Sequence, residues 1–161
     1  MKRLLKVFYT ILVSVFLLSL VSCPAFVVVG NYYDEKELNN ERELWKQNNF
    51  QDYSFVFVKK GNSGSKSILV EVKNGQNTSD KTNQFNIYNM EDVFAYIQSL
   101  DANYAQSDKY AGTIDFGIKY NTTYHYPEEI IFNYKEPSVV DEDKYVNYNN
   151  RFYVKSFKLL K

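Results

Sequence analysis

Four stretches of this chain alternate apolar and polar residues with a period of two, and this pattern constrains its architecture most. In Tyr53-Ser54-Phe55-Val56-Phe57-Val58, residues Tyr53, Phe55 and Phe57 share one parity. Ile68, Val70 and Val72 oppose Leu69, Glu71 and Lys73 across 67–73. Ile114, Phe116, Ile118 and Tyr120 oppose Asp115, Gly117 and Lys119 across 113–120, and Ile130, Phe132 and Tyr134 share a parity across 129–135. Alternate side chains of a strand point to opposite faces, so each stretch reads as a strand with one buried face. One-sided alternation predicts an antiparallel sheet covered on one side only.

The segments between supply turns and covers. Lys60 to Lys66 reads as a hairpin loop, and Asn74-Gly75 as a tight turn. Gln76 to Asn83 reads as a polar loop, and Gln84 to Tyr88 as a short third strand. Asn121 to Pro127 is a turn, and Glu136 to Lys144 an acidic loop. Tyr145 to Leu160 is a closing strand, bent at Asn149-Asn150. Two stretches have helical spacing instead. Asp34 can cap a helix that ends at Asn48-Asn49, with Leu38 and Trp45 seven apart on one face and Leu44 beside them. Asn89 can cap a second, with Asp92 three residues on and Val93, Ile97, Leu100 and Tyr104 forming a stripe flanked by Phe94. The expected fold is α+β. A single antiparallel sheet of about five or six strands carries two helices on one face, in the order α-β-β-(β)-α-β-β-β.

The first residues read as an address. Met1-Lys2-Arg3-Leu4-Leu5-Lys6 is basic, Val7 to Leu20 is uncharged and apolar, and Leu20-Val21-Ser22-Cys23 closes the run. This is the layout of a secretory signal peptide. Leu at −3 and Ser at −1, before the only cysteine, resemble a bacterial lipobox. That resemblance implies a diacylglyceryl thioether on Cys23, cleavage before it, and acylation of the new amino group. The organisation is then a signal peptide at 1–22, a lipidated Cys23 and tether over 23–33, and one domain over 34–161. An uncleaved anchor is the other reading. Val7 to Val29 is long enough for it, since roughly 20 apolar residues span a bilayer. Pro24, inside the run, opposes it by breaking a helix there.

Charge and composition exclude several classes. Lys plus Arg and Asp plus Glu are both 19 in 161 residues, so the basic excess of a nucleic-acid binder is missing. One Cys and one His exclude a disulfide framework and a Cys/His metal cluster, and no cofactor is expected. Removing residues 1–22 takes away Lys2, Arg3 and Lys6, leaving 16 bases against 19 acids and a net charge of −3. From that total no basic patch is expected, and the lipid alone would hold the protein to a membrane.

A set of local motifs goes further. A Trp-bearing helix precedes Asp52-Tyr53-Ser54-Phe55, and a Val-x-Val strand ends in Asn74-Gly75. Met90-Glu91-Asp92-Val93-Phe94-Ala95-Tyr96-Ile97 follows, then Ile118-Lys119-Tyr120-Asn121-Thr122-Thr123-Tyr124-His125-Tyr126-Pro127-Glu128-Glu129-Ile130. Over about residues 40–160 this resembles a family of bacterial envelope lipoproteins catalogued only as a domain of unknown function. The resemblance implies fold and envelope location and no mechanism. The family tends to read Tyr-Asp-x-x-Tyr-Gly-Tyr-Pro in the last stretch, so His125 stands where it favours Gly. Many members also carry a Cys pair after the first strand, and Lys59 to Ser65 has none.

Few residues suggest chemistry. His125, near Glu128 and Glu129, could act as a general base, yet no nucleophile signature such as Gly-x-Ser-x-Gly accompanies it. Tyr120, Tyr124, His125 and Tyr126 form the best candidate surface for a ligand or partner, because tyrosine offers rigid area with a polar tip. The same loop also reads as a Pro-bounded turn whose rings cap the core edge. Asp141-Glu142-Asp143 lacks the spacing and glycine of a calcium loop, so it reads as a solvated acidic run and no metal site is expected. Gly61 to Lys66 fails the spacing of a phosphate cradle and is followed by a strand. Asn77-Thr78-Ser79 and Asn121-Thr122-Thr123 match the glycosylation sequon by accident in a bacterial lipoprotein.

The expectation is a non-enzymatic binding or envelope-structural module outside the cytoplasm of a bacterium. Its partners would be the membrane, through the lipid on Cys23, and an envelope protein. The alternative is a periplasmic inhibitor or regulator of an envelope hydrolase.

Overall fold

The computed structural model describes residues 33–79, 83–105, 114–138 and 145–161, with backbone only for 103–105. Cys23, the signal segment, the tether up to residue 32, the side chain of Tyr104 and the run Asp141-Glu142-Asp143 lie outside the described residues.

Helix α1 (Glu35–Gln47) begins where Asp34 stays extended and accepts hydrogen bonds from the backbone N–H groups of Lys36 (2.8 Å) and Glu37 (3.4 Å). Such a cap satisfies N–H groups that no helical carbonyl can reach. Glu35 and Glu37 sit in its first turn and Lys46 in its last, each complementing the helix dipole. Leu38 and Trp45 are buried, as their spacing predicts. Strands β1 (Tyr53–Gly61) and β2 (Gly64–Lys73) follow, then β3 (Gln76–Asn77). Helix α2 (Met90–Ala105) opens with a reciprocal box. The Asp92 N–H donates to Asn89 Oδ1 at 3.0 Å, and the Asn89 N–H donates to Asp92 Oδ2 at 3.1 Å. Strands β4 (Asp115–Tyr120), β5 (Pro127–Pro137) and β6 (Tyr145–Leu159) complete the fold.

All six strands form one antiparallel sheet in the order β3-β2-β1-β6-β5-β4. The last strand therefore lies beside the first, near the middle of the sheet. The covered face carries the predicted parities: Tyr53, Phe55 and Phe57; Val70 and Val72; Phe116 and Ile118; Ile130 and Phe132. Phe152 and Val154 join them from β6. Val93, Phe94, Ile97 and Leu100 of α2 are buried in the same core. Burying a Phe or Ile side chain fully contributes about 1.5–3 kcal/mol, so this layer is the main source of stability.

Four local expectations are corrected. The hairpin loop shrinks to Asn62-Ser63, because Gly61 pairs with Gly64 and the strands run on through Lys59–Lys66 and Lys60–Ser65. The third strand is Gln76–Asn77, which the Asn74-Gly75 turn folds straight back onto β2. Gln84 to Tyr88 is not a strand. Asn83 Oδ1 accepts from the N–H groups of Phe85 and Ile87, and its Nδ2 donates to the Ile87 carbonyl, replacing ladder partners. Ile114 precedes β4 and is exposed, so the buried stripe there begins at Phe116.

The fourth correction concerns β6. Asn149 and Asn150 pair regularly with Asn133 and Phe132, and the irregularity falls near the chain end instead. Ser54 pairs with Lys158 but Val56 with Lys155, so Ser156 and Phe157 together oppose Phe55. Ser156 takes the left-handed conformation at φ 54°. The extra residue inverts the alternation and turns Phe157 onto the core face, as a β-bulge does.

Charge is not spread evenly over the two faces, and the expectation of no basic patch fails for that reason. The uncovered sheet face carries Lys60, Lys73, Lys119, Lys135, Arg151, Lys155 and Lys158. Against these seven bases stand Glu71, Asp115 and Glu129, with Glu128 joining at the bulge between β4 and β5. The helical layer is the reverse: Asp34 and the two helices hold eight acids and three bases. A whole-chain total hides this separation.

Candidate binding site

The predicted loop residues Tyr120, Tyr124, His125 and Tyr126 do come together, and they meet helix α1. Asn121 builds the turn: its Oδ1 accepts from the N–H groups of Thr123 (3.0 Å) and Tyr124 (2.8 Å). Its carbonyl accepts from the His125 N–H, and its own N–H donates to the Tyr126 carbonyl. His125 is thereby forced to φ 64°, the region that favours glycine. The loop then clasps α1 at three points. His125 Nδ1 lies 2.9 Å from Glu41 Oε2. Asn48 Nδ2 donates to the Tyr124 carbonyl at 3.1 Å. Tyr126, buried, packs edge-on against Trp45, with centroids 6.3 Å apart.

Trp45 is the centre of this end of the molecule, with Phe50, Tyr53 and Phe157 also set edge-on around it. Tyr124 packs on Phe50 and Phe157. The rings therefore cap the core edge. The acid expected beside His125 is engaged elsewhere: Glu128 accepts from Asn121 Nδ2 and pairs with Lys119. Its actual partner, Glu41, lies 84 residues away in sequence.

The acids of α1 mark the tyrosines near them. Burial pushes the Tyr120 phenol well above its usual range, and the charges of Glu37 and Glu41 push it further. Tyr33 is pushed up to about 12, first by burial and then by Asp101 and Glu35. Tyr126 is also raised, by burial and by Glu128. These phenols stay protonated and serve as hydrogen-bonding, packing groups.

A different place offers room for a ligand. A cleft of about 650 Å³ lies between the β1–β2 hairpin tip, the Gln84–Asn86 turn and helix α2. Lys59, Lys66, Ser63, Phe85, Tyr96 and Ser99 are among its lining residues. An adjoining hollow of about 350 Å³ shares Lys59 and Tyr96 and reaches the stacked pair Tyr134–Tyr148, with centroids 4.8 Å apart. Lys59 and Lys66 are direct cross-strand partners, so both ammonium groups leave the same face of the sheet. Like charges directly opposite are destabilising. Among the described residues neither has a carboxylate within ion-pair distance. Asp92 lines the cleft too, but its Oδ2 accepts from the N–H groups of Tyr88 and Asn89 at the helix cap. The cleft thus pairs two cations that lack a carboxylate partner among the described residues, Lys59 lying 5.7 Å from the Phe152 ring centroid, with aromatic walls, a surface suited to an anionic group on an apolar body.

Sequence reading missed this cleft because it placed Lys60 to Lys66 in a loop. Continuing the parity of Tyr53, Phe55 and Phe57 by one step gives Lys59. Continuing that of Val72, Val70 and Ile68 gives Lys66. Each core stripe ends in a lysine.

Among the described residues no group of His, Cys, Asp and Glu is arranged to hold a metal ion, and no helix is long and apolar enough to cross a membrane. In comparisons with known proteins, the model of a family of unknown function (DUF6174) matches residues 37–152. No curated protein and no solved structure matches the chain.

Proposed function

The chain belongs to this family of unknown function, and on that premise we propose that it is a non-enzymatic binding module of the bacterial envelope, tethered to a membrane through lipid on Cys23. Its ligand is an anionic group carried on an apolar or aromatic body, taken in the cleft beside Lys59 and Lys66. The observation that carries this reading is the like-charge pair itself. Two lysines set opposite each other on the cleft face, without a carboxylate partner among the described residues, lower stability unless an anion joins them. The signal segment and lipobox support the tether. A lipid anchor would keep such a module at the surface where its ligand is met.

Thermal unfolding tests the cleft. Pyrophosphate and citrate, compared with sodium chloride at equal ionic strength, should raise the midpoint of the wild type. A ligand held at 100 times its dissociation constant adds about 2.7 kcal/mol. The double variant Lys59→Gln, Lys66→Gln should lose that increment and be slightly more stable in low salt, because the repulsion is gone. Equal responses of the two proteins to both polyanions would sink the cleft as an anion site.

A further inference from the structure

The uncovered sheet face has a chemistry of its own. Tyr153 stands at its centre, with Lys155 Nζ 4.8 Å and Lys60 Nζ 5.5 Å from the ring centroid. Val56, Val58 and Ile131 are half-buried around it, and Leu69 is 60% exposed. Lys60 is the direct cross-strand partner of Arg151, a second like-charge pair. Lys73, Lys119 and Arg151 are paired with Glu71, Glu128 and Glu129. Lys60, Lys135, Lys155 and Lys158 have no carboxylate within ion-pair distance among the described residues. Among the described residues, eight of the 14 acids lie on the opposite, helical side of the domain.

A face with a small apolar centre, a tyrosine ring flanked by Lys60 and Lys155, and four lysines without a carboxylate partner among the described residues complements a plane of negative charge. We infer that this face docks on the anionic phospholipid surface of the membrane that holds the tether, leaving the acidic helical layer turned away from it. The inference rests on the proposed lipid anchor at Cys23, which would bring the face within reach of that surface. Lysines close to an anionic bilayer each favour the docked state by about fivefold, and the attraction decays within a Debye length.

The full chain, purified from membranes, is bound to vesicles of phosphatidylcholine alone or of phosphatidylcholine mixed with phosphatidylglycerol. Acetylation of each lysine is then followed by mass spectrometry. Lys60, Lys155 and Lys158 should react about fivefold or more slowly on the mixed vesicles. High salt should restore their rates, and Lys36 and Lys46 on α1 should react equally throughout. Reversing two charges, Lys155→Glu with Lys158→Glu, should restore the rate at Lys60. Equal rates on both vesicles overturn the docking. So does protection that tracks protein density on phosphatidylcholine, which would place a second copy on the face. Loss of the chain from phosphatidylcholine vesicles reports instead that the anchor is absent, and the mixed vesicles still decide which lysines face lipid.

Discussion

His125 Nδ1 sits 2.9 Å from Glu41 Oε2, joining the Asn121–Pro127 turn to the middle of helix α1 across 84 residues of chain. The two side chains are 30% and 18% exposed, so the contact is partly shielded from solvent. It also explains how a residue other than glycine is tolerated at φ 64°. Histidine enters the left-handed region more readily than most side chains, and here it gains a partner there.

Substitution at His125 should separate these two effects. His125→Gly loses the Glu41 contact but relieves the backbone, so stability should stay within about 0.5 kcal/mol of wild type. His125→Ala loses the contact and keeps the strain, and should cost about 1–1.5 kcal/mol. Urea unfolding measures both. Equal losses would show that φ at this position carries no cost.

The bulge at Ser156 makes a second prediction. Ser156→Gly should raise stability by about 0.5–1 kcal/mol, since glycine accepts φ 54° without steric cost. Deleting Ser156 should remove the bulge and leave Phe157 as the single residue opposite Phe55, still on the core face with Trp45, Phe50 and Tyr126. The deletion should therefore cost less than Phe157→Ala, which takes the ring out of the core at about 2–4 kcal/mol. A deletion variant as unstable in urea as Phe157→Ala would refute the role given to the bulge.

The third prediction concerns alkaline pH. Tyr33 has its pKa raised from 10.0 to about 12 in the fold, by burial and the acids beside it. A phenol raised in this way contributes fully below the unfolded value. Its contribution is lost as pH rises from about 10 through 12, because the unfolded state ionises first. Tyr120 is raised in the same direction and adds to the effect. Tyr33→Phe keeps the stack on Phe116, with centroids 4.3 Å apart, but loses the hydrogen bond to Asp101, so it should be less stable than wild type near neutrality and lose stability less steeply above pH 10. Parallel curves of urea midpoint against pH would contradict this.

The sheet and both helices were legible because burial imposes a period on the sequence. Phe55, Val70, Ile130 and Val93 each fall where alternation or helical spacing puts them. The Asn89–Asp92 box and the Asn74-Gly75 turn were legible because their chemistry is local. What failed depends on contacts far along the chain. The switch of apolar parity from Phe152 and Val154 to Phe157 is present in the sequence, but which residue is left extra is set by pairing with β1, about a hundred residues earlier. The sequence neighbours of His125 offer Glu128 and Glu129, whereas the fold supplies its partner, Glu41, from α1. The cleft was hidden by ending the strands at the first lysine and glycine. The basic face was hidden by reading net charge as a total, which carries no information about which side of a sheet a residue leaves.

The tether is the claim on which the envelope reading and the docking of the sheet face depend. Intact mass spectrometry of the protein extracted from membranes tests it directly. The expected species begins at Cys23 and carries a diacylglyceryl group on its sulfur. A species that retains Met1, or one whose Cys23 thiol is free and alkylates readily, would contradict it.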